Sequence, residues 1–267
     1  MKNLKLRLLY TFCFVWGISF FISDSVQAQP AGTTNFYNNI KAYNLAALWR
    51  ADGLRLISLK QTNAFPEPLG ALGKNKQRFY IHYTSVVKDA VNPYKYNVQG
   101  KTRLGNQVRP FTGTITVTQA GIFKPGENNP YVPEPYKGYK RGQLVCRVAI
   151  NEATSTPGTG IISGELTTSF CINAQNQLLY DTLDFGIDGY GNNQFTGSWT
   201  AHGTKAAQKL VFGDITFPDT EFSDVDGITV PVKYEKYGWQ SFVNAISSDL
   251  RPTSKAAIAE EKRQWWK

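Results

Sequence analysis

The residues with most chemistry to offer in this chain are carboxylates clustered on turn-rich segments. Asp219, Glu221, Asp224 and Asp226 precede Gly227. Like charges so closely spaced repel unless solvent or a cation relieves them, and Ca²⁺ takes about six to eight oxygens from such loops. With Gly227 in the sixth position of an EF-hand register, Asp224 and Asp226 fall third and fifth, but Phe222 stands first and Lys233 twelfth. The run therefore reads first as a solvated acidic turn, with a calcium loop of another type as the alternative. No other cofactor is expected.

Asp181, Asp184 and Asp188 form a second group around Gly186. Paired carboxylates about 5 to 9.5 Å apart can act as acid and base on a glycosidic bond. A hydrolase would need two or more of Asp181, Asp184, Asp188, Glu165, His82 and His202 in one cleft. Asp188-Gly189 and Gly191-Asn192-Asn193 also read as turn formers. His82 and His202 are the two histidines, both on the polar parity of their strands, and both are expected at the surface. The nearest approach to a Gly-x-Ser-x-Gly nucleophile turn is Gly160-Ile161-Ile162-Ser163-Gly164, which misses it. There is no His-Glu-x-x-His and no phosphate-cradling loop. No catalytic residue is assigned.

Aromatic side chains beside bases offer a different chemistry. Lys124–Gly142 is rich in proline and tyrosine, and it sets Tyr131, Tyr136 and Tyr139 close to Arg141. Flat rings next to polar donors suit sugars and amphipathic molecules, because they give contact area at low entropic cost. These four residues are the expected ligand contacts.

The cysteines carry a structural question. Cys146 and Cys171 lie in segments that read as strands. Leu144, Cys146, Val148 and Ile150 share one face, whereas Cys171 falls opposite Phe170 and Ile172. A bulge near Gly164 would reset that parity and permit a disulfide worth about 3–4 kcal/mol. Neither cysteine has ligand-spaced His or Cys neighbours, which argues against zinc.

The elements that must position these groups begin after residue 28. Lys2, Lys5 and Arg7, then the apolar run Leu8–Ile22, then Val26-Gln27-Ala28 have the three-part layout of a cleavable signal peptide. The apolar run is shorter than the roughly 20 residues a spanning helix needs. Residues 1–28 are expected to be removed, leaving no membrane span and a periplasmic or secreted protein. Cleavage takes away Lys2, Lys5, Arg7 and Asp24, so the formal charge falls from +9 to +7. The remaining bases are scattered, which excludes a nucleic-acid partner on pattern.

From Phe79 onward hydrophobicity alternates with period two. Phe111, Gly113, Ile115 and Val117 face one way and four threonines the other. The same alternation recurs over 143–150, 161–172, 177–185, 194–202 and 208–217, separated by turn residues. The pattern predicts an all-β, mainly antiparallel domain over residues 29–252, a β-barrel or a β-sandwich. Phe36, Ile40, Tyr43, Ala47 and Leu48 predict an N-terminal helix over about Asn35–Trp49, and Leu54, Leu56 and Leu59 predict a strand start. Residues 253–267 predict a short C-terminal helical tail, with Ile258, Trp265 and Trp266 toward one side.

Tyr96-Asn97-Val98-Gln99-Gly100-Lys101, then Phe111-Thr112-Gly113-Thr114-Ile115, and later Asp188-Gly189-Tyr190-Gly191-Asn192-Asn193-Gln194-Phe195-Thr196-Gly197-Ser198-Trp199, recur in that order. With Gly213-Asp214, Lys233-Tyr234 and Tyr237-Gly238-Trp239, this wording resembles a family of exported, uncharacterised β-rich proteins of the Bacteroidota. The resemblance implies a barrel-like exported domain and carries no activity. Family members often hold a cysteine where this chain has Val211-Phe212. Gly197-Ser198-Trp199 is also similar to the Gly-x-Trp signature of lipocalins, a calycin analogy displaced late in the chain.

Together these readings predict an exported, non-catalytic protein that binds a small amphipathic molecule or a glycan. The alternatives are a glycan-directed hydrolase using Asp/Glu pairs and a structural or envelope-interaction protein.

Overall fold

The computed structural model describes residues 29–50, 66–127, 132, 134–185, 187–224, 227–246 and 252–267. The expected signal segment and the strand start at Leu54–Leu59 lie outside these residues. Ten strands form one antiparallel sheet: β1 (Thr33–Asn35), β2 (Leu69–Leu72), β3 (Gln77–Lys88), β4 (Lys95–Leu104), β5 (Gln107–Phe123), β6 (Lys140–Glu152), β7 (Gly160–Ile172), β8 (Leu178–Tyr180), β9 (Asn192–Ala201) and β10 (Ala207–Asp214). Eight of them close into a ring, β2-β3-β4-β5-β6-β7-β9-β10 and back to β2. Each ring strand pairs with its neighbours in chain order, and β2–β10 is the closing seam. The short β1 and β8 extend the edges of β5 and β7. A separate ribbon, β11 (Ser223–Asp224) with β12 (Gly227–Ile228), follows.

Period-two patterning sets what faces the interior. Phe79, Ile81, Val98, Ile115, Val148 and Phe195 are among the fully buried side chains that fill the ring. Gly164 and Gly197 oppose each other across β7 and β9, and a Cβ at either would strike the Phe195 ring. The glycines thus let an aromatic lie flat across the strands. The register is regular on both sides of Gly164; the bulges fall instead between Tyr83 and Ser85, Val117 and Gln119, and Phe212 and Asp214. With no bulge at Gly164, Cys146 and Cys171 stay on opposite faces of the wall. Both are buried and free.

The expected N-terminal helix is not formed as such. Residues 35–49 hold one helical turn at Tyr37–Ile40 and a tight turn at Ala46–Trp49. Asn35 and Asn44 each accept the backbone N–H two residues on, an Asx turn that competes with helix propagation. Leu45, Leu48 and Trp49 are buried because the segment plugs one end of the ring, where Trp49 meets Tyr96 edge-on at 5.1 Å. The opposite end is closed by Glu152, which accepts from Thr102, from Gly160 N–H at 2.8 Å and from the Trp199 indole at 2.9 Å.

The C-terminal segment wraps the outside. Phe217, Phe222, Tyr234 and Trp239 pack with Ala71 and Val211 on the outer face of the seam. The last helix, Lys255–Glu261, is capped by the Ser254 side chain. It docks by Arg78–Glu261 and Arg103–Glu260 ion pairs onto β3 and β4. No helix among the described residues is long and apolar enough to cross a membrane.

Candidate functional site

The side chains at the end of β6, on the β7 edge and in the 181–191 turn enclose an open cleft of about 350 Å³. Arg141, Gln143 and Ser169 point outward by strand parity, since Leu144 and Phe170 point in. Over them folds the turn after β8. Its shape is set by Leu183 N–H on Asp181 Oδ1 at 3.0 Å and by the Tyr190 hydroxyl on the Asp181 carbonyl at 2.7 Å. Asn192 accepts Ser169 N–H and donates to the Ser169 carbonyl, which ties the far side of the turn to β7.

Arg141 organises the floor. Its Nε donates to Asp181 Oδ2 at 2.7 Å and its Nη2 to Asp184 Oδ2 at 2.6 Å. Asp181 is buried, and desolvation raises its carboxyl above the ordinary range while Arg141 pulls it back. Asp184 is partly open, yet its Oδ1 is buried with no hydrogen-bond partner among the described residues. Asp188 stands exposed at the rim next to Ile187, which is 56 % exposed. The lining is thus acidic and polar, with an apolar lip.

The structure redistributes the residues singled out from sequence. Arg141 reaches the cleft, but Tyr136 and Tyr139 pair with each other edge-on at 5.5 Å and do not line it. Tyr131 lies outside the described residues. Asp181, Asp184 and Asp188 share the cleft, whereas Glu165 is exposed elsewhere on β7 and His202 bonds the Glu152 carbonyl at the far end of the ring. His82 is not at the surface as expected: it is buried between Glu67, at 3.0 Å, and the Trp266 ring, stacked at 4.1 Å. Its outward parity was legible; the tail that covers it was not.

The acidic run is held by bases. Asp219 pairs with Lys76, and Glu221 with Lys233 at 2.8 Å and the Tyr234 hydroxyl at 2.7 Å. These partners draw the Glu221 carboxyl down to about 2. The Asp224 side chain and all of Asp226 lie outside the described residues. Among the described residues no group of three or more His, Cys, Asp or Glu side chains is placed to hold a metal.

Two of the buried carboxylates not singled out as site residues from sequence close the two ends of the ring. Glu152 is one, at the Trp199 end. Asp214 is the other, at the plugged end, where its Oδ2 accepts from Tyr180 at 2.7 Å and from Asn193 at 2.7 Å. Asn193 in turn binds Thr168 and the Leu48 carbonyl, and Thr168 binds the Trp49 indole. Beside Asp214 is a cavity of about 10 Å³, room for one water at most, which Tyr83 and Glu67 also line. The available signal was the shared inward parity of Leu210, Phe212 and Asp214. No protein-family model, curated protein or solved structure matches this chain.

Proposed function

We propose that the protein is an exported, non-catalytic binding domain and that the cleft formed by Arg141, Asp181, Asp184 and the 187–191 turn is its recognition site. The observation that carries this reading is where the open volume lies. Among the described residues, side chains fill the ring and the interior cavity beside Asp214 is about 10 Å³, whereas about 350 Å³ lies outside the ring, within the range of small-molecule sites. On this reading the ring is a solid β-barrel scaffold. Export rests on the layout of residues 1–28 and on the resemblance to exported Bacteroidota proteins. In that resemblance, Asp188 through Gly191 supply one wall of the cleft.

The lining favours a glycan over a purely apolar molecule. Carboxylates, Gln143 and Ser169 can exchange hydrogen bonds with hydroxyls, while Ile187 and Tyr190 offer surface to a ring face. The test is a glycan panel titrated against the purified chain and against Gln143→Ala. Binding by at least one glycan class, weakened in the variant without loss of melting temperature, supports the reading. Absence of binding across the panel refutes it.

A hydrolase acting on the same glycans is the second reading, favoured by three aspartates in one cleft. Asp181 and Asp184 are both engaged by one guanidinium, and Asp181 is 1 % exposed in its side chain. That geometry suits holding Arg141 better than reaching a glycosidic oxygen. Release of reducing ends from a bound oligosaccharide, abolished by Asp184→Asn, is the result that would establish catalysis.

A further inference from the structure

We propose that the cleft seats a cationic amine of its ligand, so that the ligand class is an amino-sugar oligomer rather than a neutral or acidic glycan. This rests on the cleft being a glycan site. Three carboxylates line it against one guanidinium, and that guanidinium is committed: Arg141 sits against Asp181 and Asp184 at 2.7 and 2.6 Å with its side chain 10 % exposed. An acidic sugar would find no uncommitted base in the lining and would approach Asp184 and Asp188 directly. A carboxylate or sulfate there is repelled.

A further positive charge is what the carboxylates of the lining lack. Asp181 has both oxygens occupied, by Arg141 and by Leu183 N–H. Asp184 has one oxygen on Arg141 and the other buried without a partner among the described residues, so its charge reaches the cleft through a side chain that is 25 % exposed. Asp188 is exposed at the rim. A hydroxyl brings one donor and no charge, whereas an ammonium brings three donors and a charge. Hydrogen bonds between ionised partners are about twice as strong as neutral ones. The acidity is local, because the chain carries a formal charge of +9, or +7 once residues 1–28 are removed. Non-specific attraction of cations to this protein is therefore disfavoured, and selectivity falls to the cleft. Ile187 and Tyr190 supply the apolar edge on which the carbon face of a sugar ring rests.

The experiment is a calorimetric titration of the purified chain with glucosamine tetramer and with N-acetylglucosamine tetramer, at a mildly acidic pH that keeps the amines charged. The two share a backbone and differ in the charge at each nitrogen. The amine form is expected to bind at least about tenfold more tightly, or about 1.4 kcal/mol, with the advantage shrinking as salt rises. Asp188→Asn, an exposed position that leaves the melting temperature unchanged, is expected to remove several-fold of that preference. Equal or weaker binding of the amine form overturns this inference and leaves the glycan reading standing. A preference untouched by both Asp188→Asn and Asp184→Asn overturns the cleft as the amine's seat. Failure of both tetramers, together with an empty glycan panel, overturns the glycan reading itself.

Discussion

Replacing Asp214 with Asn should stabilise the protein strongly in mild alkali and much less in mild acid. Burial is the main reason that the Asp214 carboxyl is raised from an ordinary 3.8 to about 7; the Tyr180 and Asn193 hydrogen bonds pull it down, and the nearby Glu67 charge pushes it up. A carboxyl that holds its proton more tightly folded than unfolded stabilises the fold fully below its unfolded value, and that contribution disappears as pH rises through the folded one. Each pKa unit is worth about 1.4 kcal/mol, so the roughly three-unit rise makes the ionised group cost on the order of 4 kcal/mol by pH 8. An amide of the same shape keeps an oxygen for Tyr180 and Asn193 and cannot ionise. Asp214 and Tyr83 line the same small cavity, and the Tyr83 hydroxyl is buried with no hydrogen-bond partner among the described residues. Urea denaturation followed by tryptophan fluorescence at pH 5 and pH 8 measures the difference. Asp214→Asn should exceed the parent by about 1–2 kcal/mol at pH 5 and by about 4 kcal/mol at pH 8, so that its advantage grows by about 2–3 kcal/mol over the range. Glu221 and Glu260, both held near 2, cancel in the comparison because they are common to both proteins. A parent-minus-variant difference that is flat across this range refutes a titrating Asp214.

Other perturbations should be as plain to measure. Trp199→Ala removes a buried indole and leaves one Glu152 oxygen short of a donor; a loss of about 3–5 kcal/mol in chemical denaturation is expected, and an unchanged midpoint would reverse the inward placement of this side chain. Burial raises the Cys171 thiol to about 12 and Cys146 higher still, so both should stay unlabelled by a thiol reagent in the native protein and react once it is unfolded. Rapid native labelling of either would contradict its burial. Truncation after residue 252 removes Glu260, Glu261, Trp265 and Trp266 from β3 and β4; mass spectrometry should then find faster amide exchange in those two strands, and unchanged protection would mean the tail adds nothing to them.

Strand parity was the most legible part of the chain. Successive side chains must point to opposite faces, so Phe111, Ile115 and Val117 could be placed inside without knowing the topology. The same rule put Cys171 opposite Cys146. What parity does not encode is which outer faces are covered. His82 and Arg78 sit under the tail, and Ala71 and Val211 sit under the Trp239 cluster, because segments far along the chain fold back over them. The apolar spacing over Asn35–Trp49 shows the other limit: turn chemistry at Asn35 and Asn44 interrupts the helix, and Ile40 and Leu48 are buried against the end of the ring rather than along a helix face. The cleft was half legible. Its three aspartates were grouped correctly, yet Arg141 was assigned to a tyrosine loop because nothing in the sequence reveals that β6 sets it beneath the turn after β8.

The seam between β2 and β10 joins the first and last strands of the ring through only four residue pairs, and every other ring pairing joins strands consecutive in the chain, save that the short β8 lies between β7 and β9. Hairpins can therefore assemble one after another while the ring still hangs open, and these four pairs are the latch that makes it circular. Ala71 and Val211 form the two sides of that latch, and the aromatic cluster of Phe217, Phe222 and Trp239 lies across both. The segment that follows the last ring strand is thus a clasp laid over the one place where the ribbon of hairpins meets itself as a hoop.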